Sequence, residues 1–229
     1  MKMVRPALLL LDAGNTVVFL DHEALSEAAR HAHLEVSANA LARAEPMAKR
    51  RYEAAMKRGV SHEEGWTLHM QAIFEVAGLR ESDARLASEA AREEHARFNL
   101  WRRVPDGLGA ALDRALAAGI RVGIVSNSEG HLAELFERLG LSRYFEHVVD
   151  SALEGVRKPD PEIFRRALAR FGVEARVALY AGDIPQVDVD GARAAGMEGV
   201  LIDPLGHYAD YADAPRFPSV VELVRAFGV

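Results

Sequence analysis

The sequence predicts an α/β fold, with a Rossmann-like parallel sheet core that carries helices on both faces and a small α-helical cap domain. Short apolar runs alternate with amphipathic helical segments, which is typical of a parallel sheet covered on both faces. One long stretch near the start shows no convincing strand. The chain has 229 residues, of which 49% are hydrophobic and 27% are charged, so it is long enough for a large core with a smaller insert.

Five apolar runs are expected to form the core strands, because each is short and is mostly bounded by Gly, Asp, Asn or Ser. These runs are Ala7–Leu11, Val122–Val125, Val148–Val149, Val177–Ala181 and Val200–Ile202. The segments that separate or follow them are expected to be helices: Leu108–Ala118, His131–Leu139, Pro161–Phe171, Val187–Ala195 and Val220–Phe227.

Residues 21–102 interrupt this alternation directly after the first strand. The segment is rich in Ala, Glu, Arg, Leu and His and indicates three to five helices. We therefore expect residues 1–20 and 103–229 to form the Rossmann-like core, and residues 21–102 to form an inserted helical domain.

The composition excludes several classes of function. A net charge of −6 disfavours a nucleic-acid partner, which requires a basic surface. The absence of cysteine excludes disulfides, thiolate catalysis and cysteine-ligated metals. The apolar run before Asp12 has about five residues, short of a signal peptide, and no run approaches a membrane span of about 20 residues. We expect a cytoplasmic monomer or homodimer with no membrane partner.

Polar residues that could carry chemistry follow the predicted strands, where ligands bind in open parallel sheets. Asp12 and Ser126 follow the first two core strands, Asp183 follows the fourth, and Lys158 precedes a helix. Crowded carboxylates repel each other unless a cation lies between them. Oxygen ligands without cysteine favour Mg²⁺, and an aspartate can attack phosphorus to form an aspartyl-phosphate.

Four segments of the chain together resemble the motifs of the haloacid dehalogenase superfamily of phosphatases and related hydrolases. LLLLDAGNTVV is similar to its nucleophile strand and VGIVSNS to its strand that ends in Ser or Thr. GVRKPDPEIF is similar to its lysine motif, and LYAGDIPQVDVDGARAAGM to its Gly-Asp-x4-Asp segment. The resemblance spans essentially the whole chain and identifies the helical insert as the family's cap.

The resemblance implies a Mg²⁺-dependent phosphatase that acts on small phosphorylated metabolites. Asp12 is then the nucleophile and Lys158 the second catalytic residue. The implied phosphate-binding residues are Thr16, Ser126, Asn127 and Lys158, and the implied metal ligands are Asp12, the backbone carbonyl of Gly14, Asp183 and Asp188.

One position departs from the family's pattern. Most of its phosphatases carry a second aspartate, the general acid–base, where this chain has Gly14. Phosphonoacetaldehyde hydrolases also lack it, but they need a cap lysine, for which Lys49 and Lys57 are candidates. Haloacid dehalogenases lack it too, but they do not need the acid found here at Asp183. The alternative from a different functional class is a binding protein with weak or no catalytic activity, which binds phosphate and Mg²⁺.

Overall fold

The computed structural model of the chain describes residues 2–229, apart from the side chain of His62. The chain forms two compact units. One combines Met1–Phe19 with Trp101–Val229, and the other is Leu20–Leu100.

The first unit is built on a six-stranded parallel sheet with strand order β5-β4-β1-β6-β7-β8. The predicted α/β core is therefore confirmed. In chain order the strands are β1 Leu8–Leu11, β2 Phe19–Leu20, β3 Trp101–Arg103, β4 Arg121–Ser126, β5 Val148–Asp150, β6 Ala178–Gly182, β7 Glu198–Ile202 and β8 Arg216–Phe217. Strands β2 and β3 form a separate two-stranded sheet. The short strands β2, β3 and β8 were not predicted, and β3 lies at the end of the stretch in which no strand was expected.

The central strand β1 is covered on both faces of the sheet. Neighbouring residues of a strand point to opposite faces, and Leu8, Leu9, Leu10 and Leu11 are all fully buried. Leu8 and Leu10 belong to a hydrophobic cluster with residues of Pro161–Phe171. Burial on both faces explains why the strand is apolar at every position instead of alternating between apolar and polar residues.

Ten α-helices are assigned within the described residues. Four form the insertion: α1 His22–His31, α2 Ala38–Lys57, α3 His62–Val76 and α4 Glu81–Arg97. The others belong to the first unit: α5 Leu108–Ala117, α6 Leu132–Arg138, α7 Ser151–Glu154, α8 Pro161–Phe171, α9 Asp190–Ala194 and α10 Val220–Ala226. None of the helices in the described residues is long and apolar enough to cross a membrane.

The insertion after β1 and β2 is helical, as predicted, and forms a cap. Helix α2 packs against α3, α3 against α4, and α1 against both α2 and α4. Polar side chains start these helices: Asp21 accepts a hydrogen bond from the backbone of Ala24, and Ser61 and Glu64 form a reciprocal capping box. Such caps satisfy N–H groups that the first helical turn leaves without partners.

One predicted helix has a different local structure. The segment Val187–Ala195 begins earlier, as a π-helical turn over Pro185–Val189, and continues as the short helix α9. Such turns occur frequently at functional sites, and this one carries Asp188.

Candidate active site

Asp12 lies at the carboxyl end of β1, between β4 and β6 in the middle of the sheet. Its side chain is almost fully buried. One carboxylate oxygen, Oδ1, accepts hydrogen bonds from the Ser126 hydroxyl at 2.7 Å and from the Lys158 ammonium at 2.7 Å. Among the described residues, no hydrogen bond to the other oxygen, Oδ2, is recorded. The carboxylate is thus held by its Oδ1 oxygen.

Lys158 is the centre of the hydrogen-bond network. Its ammonium is buried and donates to Asp12 Oδ1, Asp188 Oδ1 and the Tyr180 hydroxyl, each at 2.7 Å. An ammonium has three N–H donors, so all of them are engaged. The Asn127 side chain holds the backbone of this residue, because it accepts from Lys158 N at 2.8 Å and donates to Lys158 O at 3.0 Å.

Three buried aspartates lie close together here, and two of them, Asp12 and Asp188, contact the Lys158 ammonium. Oxygens of Asp12, Asp183 and Asp188 all lie within 4.8 Å of one another. Asp188 Oδ2 accepts from the backbone N–H of Ile184 at 2.8 Å, and Asp183 Oδ2 accepts from the Asn15 amide at 3.1 Å. The cluster therefore contains three carboxylates and one ammonium, and the remaining negative charge favours a further cation. A cluster of carboxylate oxygens is the donor set that Mg²⁺ or Ca²⁺ prefers.

The electrostatics of the site follow from burial and from these contacts. Burial raises the pKa of Asp12 to about 6, against the opposing effect of Lys158 and with a further contribution from Asp188. Burial alone would lower the pKa of Lys158, but Asp12 and Asp188 outweigh it and raise that pKa above its ordinary value. Lys158 therefore stays protonated, whereas Asp12 titrates close to neutral pH in the metal-free protein.

The loop after β1 carries the other two residues predicted at this edge. The Thr16 hydroxyl is buried and makes no hydrogen bond within the described part of the chain. The loop is closed by hydrogen bonds from Val17 N and Val18 N to Ala13 O, each 2.9 Å. Gly14 lies beside Trp101, whose Cδ1 atom would be 3.6 Å from a Cβ added to the glycine.

The network therefore joins five of the predicted residues by side-chain contacts or close approach: Asp12, Ser126, Lys158, Asp183 and Asp188. Asn127 joins it through the backbone of Lys158. Within the described part of the chain, no hydrogen bond links the Thr16 side chain to this network, and none links Gly14 to it.

Sequence reasoning missed two residues of the site, Tyr180 and Asn15. Tyr180 is the one aromatic residue in the buried strand β6, and a buried phenol usually has a hydrogen-bond partner. That rule could have indicated a polar neighbour. Asn15 has a positive φ of 54°, a conformation that asparagine tolerates better than most residues.

Comparison with known proteins places the chain among hydrolases. A family model of haloacid dehalogenase-like hydrolases matches residues 6–196. Haloacid dehalogenase-like hydrolase domain-containing protein 3 of Bos taurus is 33% identical over 209 residues, which cover 85% of this chain and 81% of that protein. A phosphoglycolate phosphatase of Rhodospirillum rubrum is 39% identical over 160 residues, which cover 66% of this chain and 64% of the phosphatase.

A solved structure shows the same fold. The crystal structure of a HAD-hydrolase from Bacillus subtilis, bound to magnesium, matches with a TM-score of 0.69 and 20% identity. The match covers 98% of this chain and 100% of that one.

Proposed function

Because the chain belongs to the haloacid dehalogenase-like hydrolase family, we propose that it is a Mg²⁺-dependent phosphatase of small phosphorylated metabolites. The observation that carries this proposal is the hydrogen bonding of the Asp12 carboxylate. Its Oδ1 is held by Ser126 and Lys158, and its Oδ2 is the oxygen that would attack the phosphoryl group. The likeness to a phosphoglycolate phosphatase supports a phosphate monoester as substrate.

The residues at the sheet edge fit a hard divalent cation. Asp12 and Asp183 would hold Mg²⁺ together with the backbone carbonyl of Gly14, and the close approach of the three carboxylates supports this assignment. Asp188 already accepts hydrogen bonds on both oxygens, so it would support the metal site chiefly by charge. When bound, Mg²⁺ supplies positive charge that lets two anions, the nucleophile and the phosphate ester, approach each other.

In the first step, Asp12 Oδ2 forms a bond to phosphorus and the bond from phosphorus to the ester oxygen breaks. The hydroxyls of Ser126 and Thr16 bind the phosphoryl oxygens, and Lys158, whose donors stay on Asp12, Asp188 and Tyr180, contributes its positive charge beside them. In the second step, water attacks the aspartyl-phosphate, so that orthophosphate and the Asp12 carboxylate are released.

The proton for the leaving oxygen comes from water in this proposal, because Gly14 has no side chain to donate it. Without positioned acid–base assistance, turnover depends on how well the leaving group carries negative charge. We therefore expect aryl phosphates to react much faster than alkyl phosphates.

Dehalogenation is less well supported, because the site keeps Asp183 next to Asp12. An imine mechanism would need a cap lysine as nucleophile. Of the two candidates, Lys57 is exposed and Lys49 is buried with Glu53 at 3.8 Å. Neither arrangement favours imine formation over an ordinary structural role.

Steady-state kinetics test the proposal. The purified protein is assayed with p-nitrophenyl phosphate and a panel of phosphorylated acids, sugars and amino acids, with Mg²⁺ and with EDTA. We expect Mg²⁺-dependent release of orthophosphate that the Asp12→Asn variant lacks, and a BeF₃⁻ adduct on Asp12 in crystals. If the wild type binds Mg²⁺ and orthophosphate but hydrolyses no ester in the panel, the protein is a binding protein and the phosphatase proposal is wrong.

A further inference from the structure

Tyr180 places a polar group inside an otherwise apolar layer. The residue is fully buried in β6, and its ring packs edge-on against Phe164 with centroids 4.9 Å apart. The ring alone would suit this layer as well in phenylalanine as in tyrosine. Burying a hydroxyl costs free energy unless it is hydrogen-bonded, so the hydrogen bonds of this hydroxyl must explain why the residue is tyrosine.

That hydroxyl lies between three groups of the site. It accepts from the Lys158 ammonium at 2.7 Å, and it lies 2.8 Å from the carbonyl oxygen of Val125 and 3.1 Å from Asp188 Oδ1. Burial, and then the charges of Asp188 and Asp12, raise the pKa of Tyr180 well above its ordinary value. The phenol therefore keeps its proton and donates it to one acceptor while it accepts from the lysine.

The hydrogen bond between the Lys158 ammonium and Tyr180 differs from the other two hydrogen bonds of this ammonium. Two of the three groups that accept from Lys158 are the carboxylates of Asp12 and Asp188, and each of them is also held by one further donor, Ser126 or the N–H of Ile184. Tyr180 is different, since its rigid ring is packed in the core and its hydroxyl lies against the backbone carbonyl of Val125, one residue before Ser126. The tyrosine therefore ties the ammonium to the sheet itself.

We propose that Tyr180 is a positioning residue, whose hydroxyl holds the Lys158 ammonium in line with Asp12 Oδ1 and so fixes the direction of the nucleophile. This inference rests on the proposed phosphatase function. It assigns a role in the reaction to a strand residue that touches neither the phosphoryl group nor the metal. Without the hydroxyl, the ammonium keeps its charge and its hydrogen bonds to Asp12 and Asp188, but it loses the hydrogen bond that connects it to the rigid ring of Tyr180.

The test compares Tyr180→Phe with a matched variant, Tyr144→Phe. Tyr144 is also buried in the first unit. Its hydroxyl accepts a hydrogen bond from Arg143 and lies 3.4 Å from Asp113 Oδ2, and it does not contact the site. Loss of an orienting partner typically costs about 10–100-fold in activity. For Tyr180→Phe we expect a loss of this size in kcat with KM changed by less than about threefold, since charge and binding groups remain. Tyr144→Phe should keep the wild-type kcat.

A kcat of Tyr180→Phe within about twofold of wild type, or equal losses in the two tyrosine variants, would overturn the proposal. A second measurement does not need activity. A double-mutant cycle compares the free energies of unfolding of four proteins: wild type, Tyr180→Phe, Lys158→Met and the double variant. If Tyr180 and Lys158 interact, the changes in free energy of the two single variants do not add up to the change of the double variant. Additive effects would also overturn the proposal. If the wild type hydrolyses no ester, the phosphatase function fails, while this cycle still decides whether Tyr180 holds Lys158.

Discussion

Replacing Gly14 by aspartate restores the acid–base group that the proposed phosphatase lacks, and the structure allows the change. The backbone of Gly14 does not lie in the left-handed region, so a side chain is not strained there. A Cβ at this position would lie 3.6 Å from Trp101 Cδ1 and 3.8 Å from Trp101 Nε1. These are ordinary van der Waals contacts, so the Cβ of the new side chain fits without a shift of the backbone.

The size of the effect depends on the leaving group. A positioned general acid contributes about 10²–10⁴-fold, which is about 3–5 kcal/mol of the barrier at 1.36 kcal/mol per factor of ten. That gain is expected for alkyl phosphates, whose alkoxides leave poorly. p-Nitrophenolate is a stable anion and needs little protonation. We therefore expect Gly14→Asp to raise kcat/KM strongly for an alkyl ester and by less than about threefold for p-nitrophenyl phosphate.

The assay measures both esters at saturating Mg²⁺ for wild type, Gly14→Asp and Gly14→Asn. Asparagine matches aspartate in size and fits beside Trp101 equally well, but it cannot transfer a proton. An equal gain in both variants would assign the effect to packing. An equal gain for both esters, or no gain for the alkyl ester, would refute the view that the missing acid limits turnover.

Two further predictions follow from the same site. A Cβ on Gly182 would lie 2.3 Å from Asp188 Cγ, so Gly182→Ala should displace Asp188 and lower kcat by at least about tenfold. The control is Gly109→Ala, whose Cβ would approach the Tyr144 side chain, with its hydroxyl at 2.8 Å, and which should keep the wild-type kcat. Equal losses of kcat in the two folded variants would contradict this prediction. Since burial raises the pKa of Asp12 to about 6, the stability that its protonated form contributes to the metal-free fold is full below pH 4 and is lost as the pH rises through about 6. Protons and Mg²⁺ compete for this carboxylate, so the calorimetric affinity for Mg²⁺ should weaken by up to about tenfold per pH unit below pH 6, and equal affinities at pH 5.5 and 7.5 would contradict the prediction.

The core could be predicted from the sequence because a parallel sheet covered on both faces leaves a strong pattern. The leucines of β1 end directly at Asp12, and the helix predicted over Pro161–Phe171 has the observed bounds. Strand β8 was missed because it has only two residues, Arg216 and Phe217, and one of them is exposed. Two residues are too short for any periodic pattern to be visible.

The edge of the sheet was also predictable, but the hydrogen bonds across it were not. Strand ends place Asp12 and Ser126 side by side, since their strands are neighbours in the sheet. The amide of Asn127 points to the backbone of Lys158, and nothing in the sequence between these two positions indicates that pairing. Tyr180 likewise looks like one more core residue until the direction of its hydroxyl is known.

The spacing of Gly182 and Asp188 shows how a motif read as chemistry can also be a steric requirement. Asp188 lies in a π-helical turn and approaches Gly182 so closely that any other side chain there would overlap its carboxylate. Its position is then completed by the N–H of Ile184 and by the Lys158 ammonium. The glycine therefore does not serve a turn, because it lies at the end of β6. It makes room for the carboxylate that orients the lysine, and the lysine in turn holds Asp12.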